Sequence, residues 1–357
     1  MSWAGSLPEA MESLSLREFE EEARRRLAPA VYDFFAGGAD DEVTVRANET
    51  AFAQIGLVPR VLRGGQACEP EVSLLGRRAA RPLIVAPTAF HRLAHPDGEL
   101  ATARAAAKAG LVMVVSMAST VAIEELAETG ADLWFQLYVQ PDLGFTEQLV
   151  RRAEAAGCGA VMVSVDSPVF GRRERDLRNG FLDLPPGMAC AHMDGRPIAF
   201  RADLSWDHID WLRSVTALPI VLKGIVHPQD ARSAVERGVD AVAVSNHGGR
   251  QLDTVPATIE LLPAVADAVG GTVPLLLDGG VRRGTDVLKA LALGADAVAI
   301  GRPVLWGLAV DGEDGVARVL EMLGAEFDQA LALCGCRSPG DVSPDLIWRN
   351  PCSRCSS

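Results

Sequence analysis

Long apolar runs are missing from this sequence. No stretch reaches the roughly 18 apolar residues that a membrane-spanning helix needs, and the first 25 residues combine several acidic side chains with no apolar segment of signal-peptide length. Basic charge is also scarce, because 47 Asp and Glu face 34 Lys and Arg, for a net charge of -13. An acidic surface repels phosphate backbones and anionic lipids. We therefore expect a cytoplasmic protein that binds neither nucleic acid nor membranes.

Lysine and tyrosine are also rare, and the cysteines are odd in number. Lysine occurs only at positions 108, 223 and 289, and tyrosine only at Tyr32 and Tyr138. The 7 cysteines are an odd number in a chain of 357 residues, which is too large to depend on disulfides, so we expect most thiols to be reduced and buried. Neither the Gly-x-Gly-x-x-Gly nor the P-loop fingerprint occurs, which excludes two common nucleotide-binding loops.

Short apolar runs alternate with helical patterns from about residue 83 to about residue 330. Each run is continuously apolar, as strands buried on both faces are, and each is followed by a candidate helix. Eight such units predict an α/β fold, a closed (β/α)8 TIM barrel. The predicted strands are residues 83–86, 111–115, 133–139, 160–165, 219–222, 241–244, 274–277 and 297–300.

The remaining segments are predicted to surround this barrel. Residues 1–80 form an N-terminal helical extension, in which a Ser15-x-x-Glu18 capping box begins a helix that ends near Pro29. Residues 81–340 are the catalytic barrel, and residues 341–357 are a C-terminal tail. The connection after the fourth strand, residues 167–205, is rich in Arg, Pro and Gly. Its length is typical of a functional lid or a disordered loop.

Polar residues follow the predicted strands at their carboxyl ends, where such barrels carry their chemistry. Any one of them could simply cap a helix or bond a loop. Charged residues at the ends of strands four, five, seven and eight together favour a functional site. The strand-end residues are Thr88, Ser116, Gln136, Tyr138, Ser164, Asp166, Lys223, Ser245, Asn246, His247, Asp278 and Arg302.

Two turns rich in glycine and arginine indicate a phosphate group. Asp278-Gly-Gly-Val-Arg-Arg-Gly follows strand seven, and Gly301-Arg-Pro follows strand eight. Glycine lets backbone N–H groups approach a phosphate, arginine adds charge, and these loops hold phosphate in many such barrels. We expect a phosphate-bearing cofactor or substrate at this end of the barrel.

Longer motifs occur in a fixed order along the chain. They are Tyr32-Asp-Phe-Phe-Ala-Gly-Gly-Ala, Ala86-Pro-Thr-Ala, Phe135-Gln-Leu-Tyr, Val165-Asp-Ser-Pro, Gly171-Arg-Arg-Glu, Val221-Leu-Lys-Gly, Ser245-Asn-His-Gly-Gly-Arg-Gln-Leu-Asp, Asp278-Gly-Gly-Val-Arg-Arg-Gly-Thr-Asp and Ile300-Gly-Arg-Pro. From about residue 15 to about residue 340 the chain resembles the FMN-dependent L-2-hydroxy acid oxidase and dehydrogenase family, which includes glycolate, lactate and mandelate enzymes.

The resemblance implies oxidation of an L-2-hydroxy acid to a 2-keto acid, with FMN reoxidised by oxygen to give hydrogen peroxide. A dehydrogenase of the same family would pass the electrons to a quinone or another carrier. The resemblance also suggests a homotetramer. His247 would be the catalytic base, Asp166 its carboxylate partner, and Tyr138 a hydrogen-bond donor to the substrate oxygen. The implied substrate-binding residues are Arg250 and Arg173, which would bind the carboxylate, with Tyr32, Phe34 and Ala118.

The implied FMN site draws on all the barrel's strand ends. Pro87, Thr88 and Ala89 would lie beside the flavin, and Lys223 would face its N1 and O2 atoms, where the reduced ring gathers negative charge. Histidine suits the role of base because its ordinary pKa of about 6.5 leaves it mostly neutral at pH 7. The other implied cofactor-binding residues are Ser116, Gln136, Ser164, Ser245, Asp278, Gly279, Gly280, Arg282, Gly301 and Arg302.

Two positions depart from the glycolate-type members of the family. Phe34 stands where those enzymes usually carry a tyrosine that reaches the substrate carboxylate, and Ala118 stands where they carry a tryptophan. An unfilled apolar cavity is costly, so a bulkier substrate side chain should fill the space. We predict a medium-sized or aromatic side chain, as in mandelate.

Other interpretations are weaker. His91-x-x-x-His95 and the pairs Cys334/Cys336 and Cys352/Cys355 have spacings seen in metal sites, but Pro96 follows the histidines, Cys334 and Cys336 fall in a predicted helix, and the last pair lies in the tail. We expect no metal.

A Schiff-base lyase using Lys223 would explain the rare lysine but not the His247 and Arg250 motif. A catalytically silent binding scaffold is the third alternative, and a yellow flavin colour would separate it from the enzyme.

Overall fold

Eight parallel strands close into a barrel that helices surround. The computed structural model describes residues 13–63, 68–181 and 183–349. The strands are β1 (Ile55–Leu57), β2 (Val72–Leu74), β3 (Arg77–Ala79), β4 (Leu83–Val85), β5 (Val112–Ser116), β6 (Asp132–Leu137), β7 (Val161–Ser164), β8 (Ile220–Ile225), β9 (Ala241–Val244), β10 (Leu275–Asp278), β11 (Ala297–Ile300) and β12 (Ile347–Arg349). The helices are α1 (Leu16–Arg26), α2 (Pro29–Ala36), α3 (Val43–Ala53), α4 (Gly98–Ala109), α5 (Ile123–Ala127), α6 (Leu143–Ala155), α7 (Glu174–Asn179), α8 (Trp206–Val215), α9 (Pro228–Glu236), α10 (Thr258–Val269), α11 (Gly284–Ala292) and α12 (Arg302–Leu333).

The predicted barrel is confirmed, and each predicted barrel strand overlaps an observed one. The strands follow the order β10-β11-β4-β5-β6-β7-β8-β9. The last barrel strand in sequence, β11, pairs with the first, β4, and so closes the ring. The largest difference is in β8, which continues to Ile225 through an irregularity at Gly224. Gly224 has a φ of +109°, and a Cβ there would lie 2.6 Å from Cβ of Asp166. Glycine thus lets the Asp166 side chain lie directly against the end of β8.

Apolar side chains fill the barrel interior and its amino end. Interior residues such as Val112, Trp134 and Met162 form one buried cluster with Leu74 and Ala79 of the β2–β3 hairpin. The backbone N–H of residue 80 donates to the carbonyl of residue 110, just before β5, at 2.9 Å. The hairpin therefore covers the amino ends of the strands. A second, larger cluster packs the helices against the outside of the barrel.

The predicted Ser15 cap is present in the N-terminal extension, whereas the Glu18 carboxylate of the predicted capping box accepts from the Leu14 N–H and not from that of Ser15. The Ser15 hydroxyl accepts a hydrogen bond from the Glu18 N–H at 3.3 Å and caps α1, while α1 ends at Arg26, before Pro29 opens α2. The described part of the predicted tail does not stand apart, because β12 pairs antiparallel with β1 of the extension. Residues 350–357, including Cys352 and Cys355, lie outside the described residues.

The connection after β7, residues 167–205, is called the lid below. Its described residues, 167–181 and 183–205, form the short helix α7 and otherwise irregular backbone. The side chain of Gln251 ties its first part to the barrel, donating to the carbonyls of Asp166 and Val169 at 3.1 and 3.0 Å. His192 ties its second part, accepting from the Ile123 N–H at 2.9 Å. None of the helices in the described ranges is long and apolar enough to cross a membrane.

Candidate active site

The carboxyl ends of the strands open into a cavity of about 770 Å3, inside the usual range of roughly 300–1,000 Å3 for ligand pockets. Strand-end loops, the end of α2 and the lid form its wall. Most of the site residues predicted from sequence meet here. They are Phe34, Pro87, Thr88, Ala89, Ser116, Ala118, Tyr138, Arg173, Lys223, His247, Arg250, Asp278, Gly279, Gly280, Arg282, Gly301 and Arg302.

His247 lies in the short turn after β9 and lines the cavity. Its Nδ1 is 3.0 Å from Oδ1 of Asp166, and its Nε2 is 3.3 Å from the hydroxyl oxygen of Tyr138. The His247 backbone has a φ of +58°, and its N–H donates to the Ser245 hydroxyl at 3.0 Å, which supports this uncommon conformation. The turn thereby places the imidazole between a carboxylate and a phenol.

Burial and charge set the protonation of this group. Burial lowers the pKa of His247, although the Asp166 carboxylate opposes the shift. Burial disfavours the ionised form of Asp166, but interactions with His247 and Lys223 outweigh it and hold the pKa of that carboxyl below its usual range. The resting pair at pH 7 is a neutral imidazole beside a carboxylate. Because Asp166 accepts a hydrogen bond from Nδ1–H, the lone pair is on Nε2, which faces Tyr138 and can act as a base.

Lys223 extends from β8 and is buried beneath the cavity. Its ammonium donates to the Ser245 hydroxyl at 2.9 Å and lies 3.1 Å from Oδ2 of Asp278. Burial disfavours the charged form of Lys223, but the carboxylates of Asp278 and Asp166 outweigh burial and raise its pKa. The side chain is therefore a fixed cation. A Schiff-base lyase needs the neutral amine as nucleophile, so this environment argues against the lyase alternative.

The turn after β10 fits the ribityl and phosphate groups of FMN. Oδ1 of Asp278 and Nε of Arg282 are buried and have no hydrogen-bond partner among the described residues. Leaving such atoms unpaired is costly unless a ligand supplies the partner. A ribityl hydroxyl can donate to Asp278, and a phosphate oxygen can accept from Arg282. Gly279 and Gly280 have φ values of +100° and +87°, which glycine adopts without steric cost.

A hydrogen-bonded row lies behind the cavity wall. The Ser116 hydroxyl donates to Gln136 at 3.2 Å, and the Gln136 amide donates to the Ser164 hydroxyl at 3.1 Å. Of these three, only Ser116 lines the cavity; Gln136 and Ser164 do not, and neither does Ser245, which bonds Lys223. The sequence placed all four at the cofactor. In the structure Gln136 bonds Ser116, and Ser245 bonds Lys223 and His247, all of which line the cavity, whereas Ser164 bonds Gln136. Direct contact of Gln136, Ser164 and Ser245 with the cofactor stays a prediction.

Two arginines converge on the last carbonyls of α2. Arg250 donates to the carbonyls of Phe34 and Gly37 at 2.7 and 2.8 Å, and Arg302 donates to those of Phe35 and Gly37 at 3.0 and 2.9 Å. Both cations are partly buried, and their side chains form no ion pair within the described residues. Burial, together with the neighbouring charge of Arg173, lowers the pKa of Arg250 to about 9. Partly buried cations without an acidic partner are suited to binding an anionic ligand.

Tyr32 is not brought into the site. Its hydroxyl donates to Oε1 of Glu20 at 3.2 Å, and its ring stacks on Trp306. The reason is helical geometry: at 3.6 residues per turn, positions two apart in α2 point about 200° away from each other. Because Phe34 faces the cavity, Tyr32 faces away from it.

The sequence did not single out the aromatic wall of the cavity. Phe90, from the loop after β4, stacks on Phe34 with ring centres 5.8 Å apart, and Phe181 of the lid is 5.0 Å from the same ring. On the other side Phe200 packs edge-on against Tyr138 and also contacts Phe170. Aromatic residues make up only 5% of the chain. Three of them, Phe170, Phe181 and Phe200, belong to the lid, and their number there is too close to the chain average to have been a signal.

The positions with metal-like spacing are used differently. Both ring nitrogens of His91 bond threonine hydroxyls. Helix α12 ends at Leu333, so Cys334 and Cys336 follow the helix instead of lying inside it as predicted. Within the described ranges no three His, Cys, Asp or Glu side chains gather as a metal site. The described cysteines, Cys68, Cys158, Cys190, Cys334 and Cys336, are free thiols.

Comparison with known proteins agrees with this geometry. The family described as FMN-dependent dehydrogenase matches residues 23–349. The chain is 46% identical to glycolate oxidase 3 of Arabidopsis thaliana, over 96% of this chain and 98% of that protein, and 46% identical to an L-lactate oxidase of Nostoc sp., over 94% and 98%. A mandelate oxidase structure with 3,3-difluoro-2-hydroxy-3-phenylpropionic acid is 46% identical, with a TM-score of 0.89 over 94% of this chain and 98% of that one.

The barrel, its oriented histidine and its cofactor-sized, cation-lined cavity define a flavin-dependent oxidoreductase of the (β/α)8 class. The chain belongs to the FMN-dependent dehydrogenase family, and its cofactor is FMN. The family resemblance of the sequence motifs is thereby confirmed, and the similar proteins are oxidases of 2-hydroxy acids.

Proposed function

We propose that this enzyme oxidises an L-2-hydroxy acid with an aromatic or branched side chain to the 2-keto acid, and that oxygen reoxidises the flavin to give hydrogen peroxide. The observation that carries the proposal is one cavity with two unlike walls. His247, Arg250 and Arg173 supply a base and two cations, whereas Phe34 and Phe90 supply an apolar surface. A 2-hydroxy acid with a bulky side chain has the matching polar head and apolar tail.

The polar head is bound by charge and oriented by hydrogen bonds. Arg250 and Arg173 bind the carboxylate, and burial beside an anion is the arrangement in which guanidinium groups bind most strongly. Tyr138 donates from its phenol to the substrate oxygen. His247 takes a proton at Nε2, and Asp166 stabilises the imidazolium that forms. FMN accepts the two electrons when bound. Lys223 contributes a fixed positive charge at the base of the same cavity.

The apolar tail is the basis for the predicted substrate size. Ala118 lines the cavity with a single methyl group, and Phe34 presents no hydroxyl to a substrate carboxylate. Each buried methylene is worth about 0.8 kcal/mol. Burying the phenyl ring of mandelate against this wall should therefore contribute more binding free energy than burying the hydrogen atom that glycolate has at the same position. Lid residues such as Phe181 and Leu184 border the same space.

The test compares kcat/KM for glycolate, lactate and mandelate. We expect mandelate to be the best of the three and Ala118→Trp to reverse the order, because an indole occupies the space of the substrate ring. Ala155→Trp, on the exposed side of α6, is the matched control and should leave the order unchanged. A wild-type preference for glycolate would overturn the enlarged pocket.

The electron acceptor needs a separate measurement. After anaerobic reduction by substrate, we expect air to restore the yellow flavin rapidly, with one hydrogen peroxide formed per keto acid. Slow reoxidation by air with rapid reoxidation by a quinone would favour the dehydrogenase instead. The cytoplasmic location and the homotetramer are further proposals, for which cell fractionation and light scattering are the tests.

A further inference from the structure

Two glutamine side chains join the two ends of the lid to the barrel in the same way. Gln251 lies in the loop after β9, and its Nε2 donates to the carbonyls of Asp166 and Val169 at 3.1 and 3.0 Å. Its Oε1 accepts the backbone N–H of Gly171 at 3.1 Å. One amide group thus bonds the backbone at three points along the start of the lid.

Gln140 makes the corresponding contacts at the far end of the lid. It follows β6 and is 3% exposed. Its Nε2 donates to the carbonyls of Tyr138 and Ala199, both at 3.0 Å, and its Oε1 accepts the backbone N–H of Ala199 at 3.1 Å. This amide therefore joins the end of a barrel strand to the last part of the lid.

These bonds satisfy lid backbone groups that no strand pairs. Among the described residues, the two glutamines are the only hydrogen-bond partners of the Asp166 and Val169 carbonyls, the Gly171 N–H and both backbone groups of Ala199. Backbone groups turned away from water are rarely left unpaired, because each unpaired group costs about as much as a lost hydrogen bond. The two amides therefore determine where the ends of the lid lie.

The first glutamine lies between residues of the catalytic group. It directly follows Arg250 in the chain, and the residue whose carbonyl it binds, Asp166, has its carboxylate 3.0 Å from Nδ1 of His247. A Cβ on Gly171 would lie 2.2 Å from the Arg250 carbonyl oxygen, so this close approach of two backbones requires glycine. Gln251 thereby fixes the backbone from which the Asp166 carboxylate extends toward the base.

The second glutamine lies beside the phenol of the site. The nitrogen that binds the Tyr138 carbonyl also binds that of Ala199, and the next residue, Phe200, packs edge-on against the Tyr138 ring with ring centres 5.2 Å apart. Both rings line the cavity. The hydroxyl oxygen of the same tyrosine is 3.3 Å from Nε2 of His247. Gln140 thus holds both members of the aromatic pair at their backbones.

We propose that the two glutamines are positioning residues with separate tasks: Gln251 holds the Asp166 carboxylate against His247, and Gln140 holds the Tyr138 phenol in place through Phe200. The proposal rests on the proposed reaction, in which His247 is the base and Tyr138 a hydrogen-bond donor, and not on which acid is oxidised. Each task has a readout that needs no substrate, so a failure of this proposal is distinguishable from a failure of the proposed reaction.

Gln251→Met removes the amide and keeps the length of the side chain. The charged and titratable groups that face His247 are Asp166, Arg173, Lys223 and Tyr138. Of these, Asp166 alone has its backbone bonded by Gln251. The chain has only 6 histidines, so NMR of the holoenzyme follows the pKa of His247, which we expect to fall as in Asp166→Asn but by less. In an Asp166→Asn background the substitution should leave that pKa unchanged.

The rate gives a second readout for the same variant. Flavin reduction by substrate should slow about tenfold in Gln251→Met, which is a part of the roughly two to four decades that a base contributes. FMN should remain bound, because Gln251 is not among its proposed ligands.

Gln140→Met should act on the phenol instead. The chain has only 2 tyrosines, so ring-labelled tyrosine gives two sets of NMR signals, which Tyr32→Phe assigns. We expect the Tyr138 signals to shift as they do in Phe200→Leu, which removes the neighbouring ring, while the pKa of His247 moves less than in Gln251→Met. Flavin reduction should also slow, and in a Tyr138→Phe background this slowing should disappear.

A matched control and a wild-type measurement complete the test. Gln229→Met, at an exposed position of α9, makes the same substitution and should change none of these quantities. In the wild type, the Gly171 and Ala199 amide protons should exchange slowly with solvent, since each is donated to a glutamine. This measurement keeps the proposal testable if a variant does not fold.

Three results would overturn the proposal. A His247 pKa that stays the same or rises in Gln251→Met would contradict the first task, and unchanged Tyr138 signals in Gln140→Met would contradict the second. Exchange of the Gly171 and Ala199 amides as fast as that of Phe170, whose N–H has no partner among the described residues, would contradict both.

Discussion

The two ends of the barrel are built from opposite kinds of residue. At the amino end, Leu74 and Ala79 of the β2–β3 hairpin complete an apolar cluster with interior side chains such as Trp134. At the carboxyl end, Lys223 and His247 belong to a network of buried and partly buried ionisable groups. Burying apolar surface stabilises the fold directly, whereas burying charge costs free energy unless partners compensate it. Stability and chemistry are thus assigned to different ends of the same strands.

The carboxyl end also differs in how completely its polar atoms are paired. Lys223 has two partners, but Oδ1 of Asp278 and Nε of Arg173 are buried without one among the described residues. Such incomplete pairing is what a ligand completes when it binds. The difference between the ends therefore predicts that substitutions at one end change chemistry and substitutions at the other change stability.

The largest effect is expected for His247→Ala. Removing the base should slow flavin reduction by about two to four decades, because acid–base help of this kind contributes that much to a rate. FMN should remain bound, since the imidazole is not among its proposed ligands. Anaerobic rapid mixing with substrate measures the bleaching of the flavin. Reduction at a near-normal rate would remove His247 from the mechanism.

The next effect is expected for Arg250→Lys. Lysine keeps the charge but loses the planar fork that reaches both the substrate and the α2 carbonyls. We expect kcat/KM for 2-hydroxy acids to fall, with a loss of transition-state stabilisation of about 2–5 kcal/mol. The corresponding 2-hydroxy amides should react poorly with the wild type and change little on substitution. Amides that react as fast as the acids would contradict carboxylate binding at this residue.

The amino end gives the opposite signature. Leu74→Ala empties a fully buried position in the hairpin, and we expect the free energy of unfolding to fall by about 2–5 kcal/mol. The rate of flavin reduction per bound FMN should stay at the wild-type value. Val72→Ala, at a partly buried position of the same hairpin, is the milder control. Denaturant unfolding and rapid mixing on the same samples distinguish the two quantities, and a slow but fully stable Leu74→Ala enzyme would break the division between the ends.

The smallest effect concerns pH. The base must be unprotonated, so kcat/KM falls as pH drops through the pKa of His247. Because burial lowers that pKa, the acid limb should lie below the ordinary histidine value of about 6.5. Asp166→Asn removes the carboxylate that opposes the shift, so the limb should move lower still while the rate on the plateau falls. An acid limb above about 6.5 would contradict the neutral resting imidazole.

The sequence was most informative where a local pattern has one physical solution. Continuous apolar runs such as residues 241–244 are too short for a typical helix and fit strands buried on both faces, and the observed β9 has the same bounds. The Ser15 cap was equally predictable, because its hydrogen bonds are made within four residues. Polar residues at the ends of parallel strands had to meet at one end of a closed barrel, which is why His247 and Lys223 were found together.

The features that were not predicted depend on contacts between distant segments. The hairpin at residues 72–79 is short and rich in arginine, and only the barrel interior reveals why Leu74 is buried. The lid has no periodicity from which the direction of Phe181 or Phe200 could be read. Tyr32 was wrongly predicted to bind substrate. The motif placed it in the correct helix, α2, but did not show on which side of the helix it lies.

The pairing of β1 with β12 has a consequence for how the protein is made. These strands come from opposite ends of the described chain, so β1 leaves the ribosome long before its partner exists. The two-stranded sheet can form only after residue 349 has been synthesised, and contacts of such high sequence separation form slowly. The same extension supplies the α2 carbonyls that hold Arg250 and Arg302. During synthesis, therefore, the barrel strands can pair before the β1–β12 sheet fixes the extension whose carbonyls bind Arg250 and Arg302.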